Sequence, residues 1–132
     1  MTKIWERYSP KLAEDKFDAI IIGSGMGGLS TAAFLSKAGK KVLVLERHFK
    51  VGGWTHTFQR GKYEWDVGIH YIGAVGRKSA FLRKLFDEVT EERLEWAPMP
   101  DNYDRMIFPD KSYNFVAGKD RFIDQMVEYF PN

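Results

Sequence analysis

Between an apolar run ending at Ile22 and an amphipathic stretch opening near Gly27 stands Gly23-Ser-Gly25-Met-Gly-Gly28, and no other feature of the chain restricts its fold as strongly. Residues without a Cβ can turn a strand tightly into a helix and let an anion or a second backbone approach. The GxGxxG pattern alone recurs by chance, so its flanks decide its meaning. Phe17-Asp-Ala-Ile-Ile-Ile22 reads as a strand covered on both faces, because a continuous β-branched run stopped by glycine suits a parallel sheet. Leu29 to Ala38 reads as a helix, with Leu29, Ala32, Ala33 and Ser36 on one side and Gly39 as its C′ residue. Lys41-Val-Leu-Val-Leu-Glu46 reads as a second buried strand. Together these residues form a right-handed βαβ unit.

Glu46 closes that second strand eighteen residues after Gly28, the spacing of a dinucleotide-binding fingerprint. In such a unit Gly23 makes the tight turn, Gly25 admits the pyrophosphate, and Gly28 lets helix and strand approach. Ser24, Met26 and Gly27 complete the loop and the first helical turn, where free N–H groups and the helix dipole hold the two negative charges. Glu46 is then the acceptor for ribose hydroxyls and repels a 2′-phosphate. Arg47 lies over the adenine or ribose, or is simply solvated. A glycine turn that merely joined a strand to a helix would leave Glu46 unexplained.

Composition narrows the partners. Of 132 residues, 44% are hydrophobic and 15% aromatic, which suits a packed core and one domain. Twenty basic and eighteen acidic residues nearly cancel, so nothing points to nucleic acid. The absence of cysteine removes disulfides, thiolate metal sites and a thioether-linked flavin. His48, His56 and His70 lack the spacing of a helical metal pair. Met1 to Lys16 is a polar lead without the apolar core of a signal peptide, and Ala19 to Ile22 falls far below the ~20 residues of a membrane span. The expected location is cytoplasmic or peripheral to a membrane.

Beyond Glu46 the pattern changes. Thr55 to Val67 alternates around Arg60-Gly61-Lys62 as in a β-hairpin. Lys78 to Val89 reads as a helix with Phe81, Leu82, Leu85, Phe86 and Val89 as its stripe. Leu94 to Met99 reads as a strand, and Arg105 to Val116 as a pair folded at Pro109-Asp-Lys-Ser112. A last amphipathic helix spans Lys119 to Phe130.

Lys50-Val-Gly-Gly-Trp-Thr-His-Thr57 resembles the second glycine motif, RxGGRxxS/T, of amine-oxidase and phytoene-desaturase-type flavoenzymes. Lys50 stands at the first arginine, Gly52 and Gly53 match, Trp54 replaces the second arginine, and Thr57 holds the hydroxyl position. With Asp18 to Leu29, Val42 to Glu46, His56-Thr-Phe58 and Asp66-Val-Gly-Ile-His-Tyr-Ile-Gly73, the chain resembles the retinol saturase and carotenoid isomerase branch of the phytoene-dehydrogenase-like family over residues 17–73. That resemblance implies an α/β fold of the Rossmann type with inserted hairpins and helices, incomplete relative to the family. It divides the chain into a lead at 1–16, an FAD-binding portion at 17–76 and the start of an inserted, substrate-side region at 77–132.

The same resemblance implies FAD as cofactor, NAD(P) as a candidate electron donor, and hydride transfer with a conjugated apolar substrate such as a carotenoid or retinoid. It implies too that the rest of the enzyme, or a partner chain, completes the site. His70 would pass beside the flavin as a candidate for the reacting edge, though a histidine there also serves as an ordinary structural residue. An amine-oxidase-like flavoenzyme and a non-catalytic dinucleotide-binding fragment are the alternatives.

Overall fold

The computed structural model describes residues 5–131; the first four residues of the polar lead lie outside them. Two compact units are present, one through Leu94 and one from Glu95. The first opens with a single turn of helix, α1 (Pro10–Ala13), whose Pro10 brings a fixed φ to a position where no helical N–H is needed.

The core of the first unit is the βαβ unit expected from the sequence. Strand β1 (Ala19–Ile22) pairs in parallel with β2 (Val42–Leu45), from Ala19 opposite Val42 to Ile22 opposite Leu45. Backbone bonds extend the ladder at both ends, Asp18 N–H to the Lys41 carbonyl at 2.9 Å and Gly23 N–H to the Leu45 carbonyl at 2.7 Å. The crossover helix α2 (Met26–Lys37) ends as expected at Gly39, whose φ of +77° belongs to a left-handed C′ residue. It begins at Met26, beside the expected opening near Gly27 and three residues ahead of the apolar spacing that starts at Leu29. Gly27 and Gly28 are poor helix formers, and close packing on β1 outweighs their propensity.

One expectation is corrected here. The run Ala19 to Ile22 suggested a strand covered on both faces, yet α2 covers only the Ile21 side. Ile20 is 60% exposed and Ile22 89% exposed on the other. An unbroken apolar run states that both faces are apolar; it cannot state that this chain supplies both covers.

A 3-10 turn at Gly53–Thr55 leads into the hairpin β3 (Thr57–Arg60) and β4 (Tyr63–Asp66), antiparallel with Phe58 opposite Trp65 and reversing at Gly61. Residues 67–80 carry no helix or strand, so Gly68 to Tyr71 is irregular. Helix α3 (Phe81–Thr90) buries Phe86; with Val75 this is the buried apolar pair among the described residues. Arg83 steadies the helix, its Nε 2.7 Å from Asp87 and its Nη1 donating to the Val75 carbonyl. Lys37 of α2 meets Glu88 of α3 at 2.9 Å.

The second unit is an antiparallel pair, β5 (Asn102–Ile107) and β6 (Ser112–Val116), with a bulge near Asn102 and α4 (Lys119–Tyr129) against β6. Asn114 N–H donates to the Tyr129 hydroxyl at 3.0 Å, and Tyr113 meets Tyr129 edge-on at 5.1 Å. The strand expected at Leu94 to Met99 does not form. Pro98 and Pro100 lack the N–H groups a ladder needs, and the segment is unpaired with any strand.

Candidate functional site

The Gly23–Gly28 loop behaves as its three spaced glycines suggest, each for a different reason. Gly23 has φ +96°, a left-handed conformation that turns the chain sharply out of β1. At Gly28 a Cβ would stand 2.2 Å from the Gly23 carbonyl oxygen and 3.3 Å from Ile21 Cγ2, so a hydrogen there is what lets α2 rest on β1. Gly25 differs from both. Its φ of −67° and ψ of 174° are open to any residue, and a Cβ would meet nothing within 4 Å. The protein itself does not require glycine there, whereas an anion approaching the helix start would.

Gly25 is the N-cap of α2, no side chain caps that end, and no acidic residue stands in its first turn. Met26 and Gly27 open the helix, and a Cβ at Gly27 would likewise meet nothing within 4 Å. The uncapped N–H groups, the positive end of the helix and the open space over Gly25 and Gly27 fit a pyrophosphate.

Ser24 is the most enclosed residue of the loop, 1% exposed. Its N–H and its hydroxyl both donate to Glu46 Oε2, at 2.8 and 2.6 Å, while His48 N–H donates to Oε1 at 2.7 Å. Donors on both oxygens favour the charged carboxylate and hold Glu46 at a pKa of about 2, below the ordinary 4.5, with the Ser24 hydroxyl as the largest cause. Glu46 therefore stands against the Gly23–Gly28 loop as an anion.

The second glycine motif joins the same place. Gly52 is buried with φ +115°, and its N–H donates to the Ser24 carbonyl at 3.0 Å and to the Ser24 hydroxyl at 3.3 Å. Gly53 has φ +57°, and a Cβ on it would stand 3.0 Å from Gly25 Cα. Thr55 steadies the turn, its hydroxyl donating to the Gly52 carbonyl at 2.7 Å and reaching Met26 Sδ at 3.6 Å.

The outer positions of that motif meet each other. Lys50 Nζ donates to the Thr57 carbonyl and, at 3.1 Å, to the Thr57 hydroxyl, which itself donates to Glu64 Oε1 at 2.6 Å. Trp54, where the resembled pattern has arginine, lies against Gly68, at which a Cβ would stand 2.4 Å from the indole. Arg47 is exposed beside Glu46. His70 is exposed in the irregular segment with Nδ1 3.7 Å from Asp66, and the rings of His48 and His56 meet at 4.8 Å, tilted by 44°. Gly23 to Gly28, Glu46, Gly52 and Gly53 thus converge, while Thr57 belongs to the adjoining Lys50–Glu64 chain. What sequence reasoning missed is Ser24 as the link between the acid and the Gly-Gly turn; a hydroxyl residue between two glycines of the fingerprint was the available signal.

The model of NAD(P)-binding Rossmann-like domains matches residues 21–89. The chain is 44% identical over 130 residues to an all-trans-retinol 13,14-reductase of Rattus norvegicus, which covers 96% of the chain and 21% of that relative. It is 34% identical over 131 residues to an inactive all-trans-retinol 13,14-reductase of Danio rerio, covering 96% of the chain and 22% of the relative. It is 34% identical over 119 residues to a chloroplastic prolycopene isomerase 1 of an Oncidium hybrid cultivar, covering 89% and 20%. The chain spans about a fifth of the length of these curated relatives.

Proposed function

The chain belongs to the NAD(P)-binding Rossmann-like domain family, and from that premise we propose that it is the dinucleotide-binding portion of an FAD-dependent oxidoreductase acting on retinoid- or carotenoid-like substrates. The observation that carries the reading is the convergence on one loop of an uncapped helix start, an open Gly25, an anionic Glu46 and the Gly52-Gly53 turn. The names of the relatives support the substrate class.

In this reading the first-turn N–H groups of α2 bind the pyrophosphate, and Glu46 accepts the ribose hydroxyls and excludes a 2′-phosphate. Gly52 and Gly53 bring backbone close to the cofactor. Arg47 and Thr57 flank it, and His70 is the candidate nearest the reacting end. When bound, FAD supplies hydride exchange with the conjugated chain; the protein orients it. NAD(P) serves as electron donor, and an apolar cavity for the substrate is built with sequence such as the relatives carry beyond this portion. No helix among the described residues is long and apolar enough to cross a membrane.

The test is purification of the protein and inspection of its flavin spectrum, followed by FAD titration against NADP as competitor. Bound flavin displaced poorly by NADP is the expected result; a colourless protein that takes up NADP instead overturns it. Similarity to a relative named inactive favours a second reading, a dinucleotide-binding protein without turnover. Retinol or carotenoid conversion by a flavin-loaded protein that joins this portion to sequence such as the relatives carry beyond it separates the two.

A further inference from the structure

We propose that Ser24 is a positioning residue that aims Glu46 at the nucleotide and makes no contact with the nucleotide itself. The inference rests on the dinucleotide-binding reading above. Ser24 occupies the place in the turn where a hydroxyl could be taken for a phosphate ligand, yet it is 1% exposed and its bonding capacity is spent inward. The hydroxyl has one proton to donate, and that proton goes to Glu46 Oε2 at 2.6 Å. Its lone pairs face Gly52 N–H at 3.3 Å, and its carbonyl accepts a second, shorter bond from the same N–H at 3.0 Å. One serine therefore ties three segments separated by 22 and 28 positions in the chain.

Counting lone pairs shows the consequence for the ligand. A carboxylate offers about four acceptor sites, two on each oxygen. Ser24 N–H and O–H fill both on Oε2, and His48 N–H takes one on Oε1. Both sites on Oε2 are thereby spent, so a ligand hydroxyl approaches Oε1. Without the Ser24 hydroxyl, Oε2 keeps only the Ser24 N–H, and it regains a vacant site that water will fill. The groups around Glu46 are the Ser24 hydroxyl and the amides of Ser24, Arg47 and His48; none of the causes that set its pKa is a charged side chain. Loss of the hydroxyl removes the largest of the contributions that keep Glu46 ionised.

The decisive experiment is a double-mutant cycle on the full chain, with FAD and ADP as probes, using Ser24→Ala, Glu46→Gln and the double variant. Ser24→Ala is expected to weaken both probes about tenfold, the usual weight of a hydrogen bond to a charged group. The double variant is expected to bind no worse than Glu46→Gln alone, because Ser24 acts only through the acid. The pH below which affinity falls should move upward in Ser24→Ala toward the ordinary carboxylate range. Ser24→Thr, which keeps the hydroxyl, should restore both affinity and profile.

Losses that multiply in the double variant, with an unchanged pH profile, would show that Ser24 touches the nucleotide and overturn the proposal. Undiminished affinity in Ser24→Ala would do the same. If Ser24→Ala failed to fold, the carboxyl titration of Glu46 by NMR in Ser24→Thr against wild type decides: a depressed value kept with the hydroxyl supports the link, and an ordinary value in wild type overturns it. Wild-type protein that bound neither FAD nor ADP would sink the nucleotide reading and this inference together, whereas binding with an additive cycle sinks the inference alone.

Discussion

At Gly25 and Gly28 the same residue type answers to different demands, and the two separate cleanly by experiment. Gly25→Val should leave the melting temperature nearly unchanged, since its backbone is unstrained and a Cβ has open space. It should nevertheless abolish FAD binding, because the branched side chain occupies the pyrophosphate's approach. Calorimetric titration of the folded variant checks this, and retained affinity would refute the phosphate-loop assignment. Glu46 makes a second residue-scale prediction. Its folded pKa of about 2 lies below the ordinary 4.5, so the ionised form contributes stability in full above about pH 4.5 and loses it as pH falls toward 2. Thermal melts across that window should fall more steeply for wild type than for Glu46→Gln. Parallel curves would mean that Glu46 is not held as described.

Among the elements, the contact of α2 with β1 depends on a missing methyl group. A Cβ at Gly28 meets the Gly23 carbonyl, and because backbone at 2.2 Å cannot yield as a side-chain tip can, the helix itself must lift. Gly28→Ala should therefore destabilise the first unit by about 1–3 kcal/mol, the range of overpacked sites. Chemical denaturation followed by circular dichroism reads it; a loss of nucleotide affinity without loss of stability would contradict the packing role. The hairpins were legible because turn residues and alternation are local: Gly61 reverses β3 into β4, and the Pro109 turn joins β5 to β6. The strand expected at Leu94 to Met99 was not, since apolar residues near Pro98 satisfy a pattern without securing a partner.

For the whole molecule, the apolar side of β1 dominates. Ile20 and Ile22 are largely exposed on a parallel pair, a type of sheet ordinarily covered on both faces. Residues 1–132 expressed alone should consequently bind a hydrophobic dye and self-associate. Ile22→Lys should reduce both while leaving the melting temperature of the first unit unchanged. Light scattering with dye fluorescence tests this, and a monodisperse, dye-silent wild type would show that the face is covered in solution. The same preparation should give no multiple turnovers of retinol or a carotenoid even with FAD added, because only part of a cofactor would be enclosed.

The sequence by itself determined the βαβ unit, the position of the nucleotide fingerprint and the family resemblance, because glycine spacing, apolar runs and an acid at a strand end act through neighbouring residues. Tertiary structure alone decided which face of β1 stays open and that Ser24 joins Glu46 to Gly52. Those facts depend on where parts of the chain 22 and 28 positions apart come to rest. A hydroxyl between two glycines reads the same in sequence whether it faces solvent, a phosphate or a carboxylate; the parallel register of β1 and β2 is what sets Glu46 beside it.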